Sequence, residues 1–125
     1  MRDDEIPAAA IEILENVRAL EPDIRQSAAA IERERRLPDK LAHQLMEAQV
    51  FRLGLPRAYG GPELDPMSQV RIVEELSRIE GSVGWLSMIS SAGSFLGISR
   101  SSGSATFFWQ RRQCVGGKPE ATTTR

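Results

Sequence analysis

The sequence predicts an all-α fold, an up-and-down array of helices, and three observations carry that expectation. Apolar residues recur at three- and four-residue spacing from Ile11 to Leu76, the period of helices that bury one face. Proline stands where helices would begin, at Pro7, Pro38 and Asp65-Pro66, and a first helical turn tolerates it because its missing amide would be unpaired there anyway. The sixteen residues Val83 to Ile98 contain no charge, so that stretch must pack against protein or line a site.

The first helical run begins at Pro7. Ile11, Leu14 and Val17, then Ile24, Ala28 and Ile31, form its apolar stripe, while Glu12, Glu15, Arg18, Arg25, Glu32 and Arg33 fill the opposite face. Glu21-Pro22 divides the run, because the ring of an interior proline clashes with the preceding turn. The mixed-charge stretch Glu32–Arg36 reads as an exposed helix end. A helix over 38–50 turns Leu41, Leu45, Met46 and Val50 inward. His43, the sole histidine, has no second ligand at metal-binding spacing and reads as an exposed polar residue.

Phe51 to Leu55 then alternates apolar and other residues, and Gly60-Gly61-Pro62 forces a turn after Tyr59, since glycine alone enters positive φ freely. Asp65 is suited to capping a helix over 66–80 whose stripe is Val70, Val73 and Leu76, flanked by Ile72 and Ile79. Glu74 and Glu75, being adjacent, point about 100° apart on a helix and cannot work as a paired acid and base. Gly81 is expected to end that helix and Ser82 to cap the next, over 83–98. Helices 38–50, 66–80 and 83–98 are expected to bury Leu41, Leu45, Val70, Val73, Leu76 and Trp85 together. On the last helix Ser87, Ser90, Ser91 and Ser94 share one face, with Trp85 and Met88 mainly off it; small hydroxyls there serve either close packing or ligand binding.

At 125 residues with a formal charge of −1, the chain has room for one domain and a modest core, and no basic field favours nucleic acid. The charge is unevenly placed: residues 1–80 are net −5 and residues 81–125 net +4. One cysteine, Cys114, excludes an intrachain disulfide or a cysteine-based zinc site and fits a reducing, cytoplasmic setting. MRDDEIP carries acids and no apolar core, so it is no secretory signal, and 83–98 falls short of the roughly 20 apolar residues of a membrane span.

Residues from about Leu14 to Ile98 resemble the N-terminal helical domain of the acyl-CoA dehydrogenase superfamily. The resemblance is carried by RERRLPDKLAHQLMEAQVFRLGLPRAYGGPELDP, by VEELSRIEGSVGW, and by their order and separation. The form SVGW looks more like the flavin-dependent monooxygenase branch than the fatty-acyl dehydrogenases. The resemblance implies the front part of a flavin-dependent oxidoreductase whose middle β domain and C-terminal helical domain lie outside this chain and hold most of the FAD site. In the dehydrogenases the reaction is α,β-dehydrogenation of an acyl-CoA with hydride transfer to FAD. In the monooxygenases reduced FMN or FAD activates oxygen toward an aromatic or sulfur-containing substrate. The resemblance further implies a small-molecule substrate, a homotetramer, and a substrate-pocket wall formed by the helix Ser82–Gly97, with Trp85, Leu86, Ser87, Ser90 and Ser94 placed near the substrate. No catalytic residue is expected within this chain.

After Ile98 the pattern departs from the family. Residues 99–125 have no clean periodicity and read as a disordered or non-native tail, out of frame with its gene, following a domain over 1–98. The GGK at 116–118 lacks the spacing of a phosphate loop. A non-catalytic helical interaction module is the other function class compatible with these features.

Overall fold

A computed structural model describes residues 6–100, with side chains described as far as Ser94. The expectations for the 99–125 tail therefore fall almost wholly outside the described residues. The elements are five α-helices, α1 (Ala8–Ala19), α2 (Glu21–Glu34), α3 (Asp39–Glu47), α4 (Pro66–Ile79) and α5 (Gly81–Arg100), with a 3₁₀ turn at Arg57–Tyr59 and no strand among the described residues.

The proline signals place the helix starts. Pro7 stands just before α1, its carbonyl accepting from the amides of Ala10 and Ile11 at 2.9 and 3.1 Å. Pro38 plays the same part for α3. Pro22 lies in the first turn of α2, and Leu20 is the single residue between α1 and α2, its carbonyl already accepting from Ile24 N at 3.0 Å. Asp65 caps α4: its Oδ1 accepts from Met67 N and Ser68 N, each at 3.0 Å, and Ser68 Oγ donates to its Oδ2. These donors, the Ser68 hydroxyl first, hold the Asp65 carboxyl below the usual carboxylate range.

α4 is the central helix, packing on α5 along one side and on α1 along another, while α2 touches α1, α3 and α4. Val17, Ile24, Leu45, Val50, Leu53, Ile72, Leu76 and Val83 are fully buried where these elements meet. Three expectations about inward faces are corrected. Ile11 is 41% exposed, and the inward row of α1 is Ala10, Ile13, Leu14 and Val17. Val70 is 49% exposed, because α4 turns the row Ser68, Ile72, Leu76 and Ile79 inward; Ser68 tolerates burial because Asp65 satisfies its hydroxyl. Trp85, expected in the shared core, is 61% exposed.

The segment after α3 keeps the predicted alternation: Phe51, Leu53 and Leu55 are buried and Arg52 is exposed. The chain then returns beside itself, with Leu64 N donating to Leu53 O at 3.0 Å and Glu63 N to Leu55 O at 2.9 Å. Two glycines make the return possible for different reasons. Gly60 has φ 80°, in the left-handed region. Gly61 is forced by proximity, since a Cβ there would lie 2.1 Å from the Leu55 carbonyl oxygen.

The junction of α4 and α5 also differs from expectation. Gly81 lies inside α5, and Glu80 alone separates the two helices in an extended conformation, φ −153° and ψ 116°. Its carbonyl accepts from Val83 N and Gly84 N at 3.1 and 3.2 Å, and its side chain accepts from Ser82 N at 3.3 Å. Glu80 thus performs the capping expected of Ser82. Four residues on, Gly84 lets the helices touch: a Cβ there would stand 2.0 Å from Ser77 Oγ and 2.9 Å from Ser77 Cα.

Candidate functional site

The serine face of α5 is directed inward. Ser87 and Ser94 are fully buried and Ser91 is 6% exposed. Ser87 Oγ donates to the Val50 carbonyl at 2.5 Å, and Ser91 Oγ accepts from Leu53 N at 3.2 Å while lying 3.5 Å from the same Val50 carbonyl. Ser94 Oγ donates to Ser90 O, one turn back on α5, at 2.9 Å. The hydroxyls therefore pin the 50–53 segment, whose amides and carbonyls lie outside any helix, onto α5. Ser87 and Ser91 thus spend their hydroxyls on the close packing of α5 against the 50–53 segment. Among the described residues no buried side-chain nitrogen or oxygen lacks a partner.

With serines inward, the large apolar side chains of α5 are turned out. Trp85 is 61% exposed, Ile89 50%, Met88 42% and Leu86 36%. The five residues singled out from the sequence thus divide: Trp85 and Leu86 lie on the outer face, Ser90 is half-buried at its margin, and Ser87 and Ser94 point into the protein. Met88, expected off the serine face, and Ile89, not singled out from the sequence, belong to the same outer set. The signal was present, since on a helix whose serines mark the inner face, positions one and two residues after Ser87 must face outward.

Open grooves flank α5. Toward the C-terminal end of α2, one of about 570 Å³ is lined by Ile31, Arg35, Arg36, Trp85 and Leu86 among others. Between α4 and α5, one of about 710 Å³ has Leu53 and Ser91 among its lining, with Val70, Val73, Met88 and Ala92.

The charged groups serve the scaffold. Arg78 Nη2 donates to Glu75 Oε1 and to Glu21 Oε2, each at 2.9 Å, tying α4 to the start of α2. Arg25 donates to Glu21 at 2.8 Å, and Arg18 lies 3.5 Å from Glu75. The Arg78 guanidinium holds both glutamates below the usual carboxylate range, and Glu75 and then Glu21 raise Arg78 in turn. His43 is exposed, its Nδ1 2.7 Å from the Asp39 carbonyl. Among the described residues no group of acids, histidines and cysteines could hold a metal ion, and no helix is long and apolar enough to cross a membrane.

Five helices without strands among the described residues, the RLGLPRAYGG return and the short α4–α5 junction form one arrangement, and the profile of the acyl-CoA dehydrogenase N-terminal domain matches residues 8–105 of this chain. The chain belongs to the acyl-CoA dehydrogenase N-terminal domain family. As a member of that family it is similar to the oxygenase subunit HsaA of a flavin-dependent monooxygenase from Rhodococcus jostii, 36% identical over 76 residues, which are 61% of this chain and 20% of that protein. The HsaA subunit from Mycobacterium tuberculosis is 36% identical over 77 residues, 62% of this chain and 20% of its own length. An indole-3-acetate monooxygenase from Acinetobacter baumannii is 31% identical over 81 residues, 63% of this chain and 21% of that protein. The chain thus spans about a fifth of the length of these relatives. No solved structure matches it significantly.

Proposed function

We propose that this chain is the N-terminal helical part of a flavin-dependent oxidoreductase, and that the outer face of α5 forms one wall of its substrate pocket. The observation that carries the reading is the outward display of Trp85, Leu86 and Ile89 on a helix whose hydroxyls are engaged within the protein. Such a face offers contact surface and shape to a small apolar or aromatic molecule, with Ser90 as the nearest hydroxyl. It has no converging set of donors suited to a flavin phosphate or ring, so no cofactor role is assigned to these residues. In this reading the flavin, FAD or a reduced flavin, is bound by domains beyond these helices, and the assembled enzyme is an oligomer.

Two reactions are compatible with the family: dehydrogenation of an acyl-CoA and oxygenation of an aromatic substrate. The names of the relatives, flavin-dependent monooxygenase and indole-3-acetate monooxygenase, favour oxygenation.

Titrating the 125-residue chain with FAD and FMN, following flavin fluorescence and absorption, tests the division of labour. No saturable binding is expected; saturable binding would place a flavin site within these helices and overturn the reading. In a Trp109→Phe variant, emission from Trp85 reports on the outer face. Quenching by an aromatic acid but not by an acyl-CoA favours oxygenation, and the reverse favours dehydrogenation.

A further inference from the structure

We infer that the groove between the end of α2 and the start of α5 binds a small aromatic acid, with Arg35 and Arg36 holding its carboxylate. The inference rests on the substrate-wall reading and extends it, because Trp85 and Leu86 line this groove. At about 570 Å³, the groove is within the size range of sites that take small molecules. Ile31, Trp85 and Leu86 supply its apolar part, and Trp85 is 61% exposed, so the indole is open to stacking by an aromatic ring. Arg35 and Arg36 stand in the same lining, and each guanidinium carries a planar set of N–H donors that matches a carboxylate.

These two arginines differ from the others in how little the protein engages them. Arg18, Arg25 and Arg78 are tied to Glu21 and Glu75, and Arg57 approaches Glu63 at 3.8 Å. Arg35 takes part in no ion pair among the described residues. Arg36 reaches Glu34 at 4.0 Å, an acid that Arg33 approaches more closely, at 3.5 Å. Glu32 is the one acid in the lining, so the two arginines leave the groove positive. The first turn of α5 is not the source of that charge, since Glu80 already accepts from Ser82 N. Arg35 also ends α2 in the left-handed region, φ 53° and ψ 33°, a conformation that glycine takes more easily. An arginine there gives the groove a guanidinium that glycine could not.

Binding to the full chain carrying Trp109→Phe, followed at low salt by the emission of Trp85, tests this. Phenylacetate, phenylacetamide and coenzyme A are the probes. The acid should bind at least about fivefold more tightly than the amide, because it alone forms charge-assisted hydrogen bonds with both guanidinium groups. Arg35→Gln together with Arg36→Gln should abolish that advantage; both residues are exposed, so the changes leave the core intact. Arg33→Gln, a loss of charge outside the groove lining, should preserve it. Equal affinities for acid and amide would overturn the inference and leave Trp85 as a wall for an aromatic ring, whereas binding of neither would overturn the wall reading as well. Coenzyme A binding more tightly than phenylacetate would also overturn the inference, by making a phosphate the anion held. So would an advantage of the acid that survives the loss of both arginines.

Discussion

Ser87 Oγ donates a 2.5 Å hydrogen bond to the carbonyl of Val50, 37 residues earlier in the chain, and both residues are fully buried. The bond fastens a non-helical segment, which cannot satisfy its own backbone groups, to the one helix that presents a row of hydroxyls. Ser87→Ala leaves the Val50 carbonyl only the 3.5 Å contact with Ser91, so a loss of about 1 to 3 kcal/mol is expected. Urea denaturation checks this, and Ser90→Ala, at the margin of the same face, should cost less.

Gly84 and Ser77 mark a close approach of α4 and α5. A Cβ at Gly84 meets both the Ser77 hydroxyl and its Cα, so a side-chain rotation cannot relieve the contact and a helix must shift. Gly84→Ala is expected to destabilise by roughly 1 to 3 kcal/mol. Ser77→Gly in the same chain should restore only part of this, because the Cα remains. Thermal melts of the single and double variants give the comparison.

Glu75, Glu21 and Asp65 all have carboxyls held below the ordinary range in the folded chain, the first two chiefly by Arg78 and the third chiefly by Ser68. A carboxyl depressed in this way contributes stability that is fully present above its unfolded pKa and lost as pH falls through its folded value. Stability should therefore hold from neutral pH down to about 4.5 and decline below it. Arg78→Met should flatten that acid decline by removing the partner of two of the three groups, and added salt should weaken the same contribution because the network is partly exposed. Melts between neutral pH and acid, with and without salt, check both.

Asp65→Ala removes the acceptor for two α4 amides and for Ser68 and should lower the melting midpoint. Asp65→Asn should recover most of the loss, since asparagine caps a helix about as well. A recovery no better than alanine would show that the charge matters more than the cap.

The outer face of α5 should govern the behaviour of the isolated chain in solution. Trp85, Leu86 and Ile89 form a contiguous apolar surface that promotes self-association. The chain is expected to be poorly soluble, and changing these three residues to serine should raise the monomer fraction in gel filtration without lowering the melting midpoint. A monodisperse unaltered chain with a cooperative melt would count against this.

The sequence alone determined where α1 to α4 begin, because those starts depend on local chemistry. Proline sets φ, the Asp65 carboxylate takes unpaired amides, and Gly60 admits a positive φ that other residues resist. The family was legible for a related reason: it rests on the order and spacing of short segments such as RLGLPRAYGG and VEELSRIEGSVGW. What tertiary structure decided was which side of each helix is inner. Val70 and Ile72 are both apolar and lie two residues apart on α4, yet Ile72 is fully buried and Val70 is left at a groove. On α5, where nearly every residue is small or apolar, hydrophobicity gives no direction at all. Unpaired backbone groups at Val50 and Leu53 supply it by recruiting Ser87 and Ser91 inward, and that rotation turns Trp85, Leu86 and Ile89 outward.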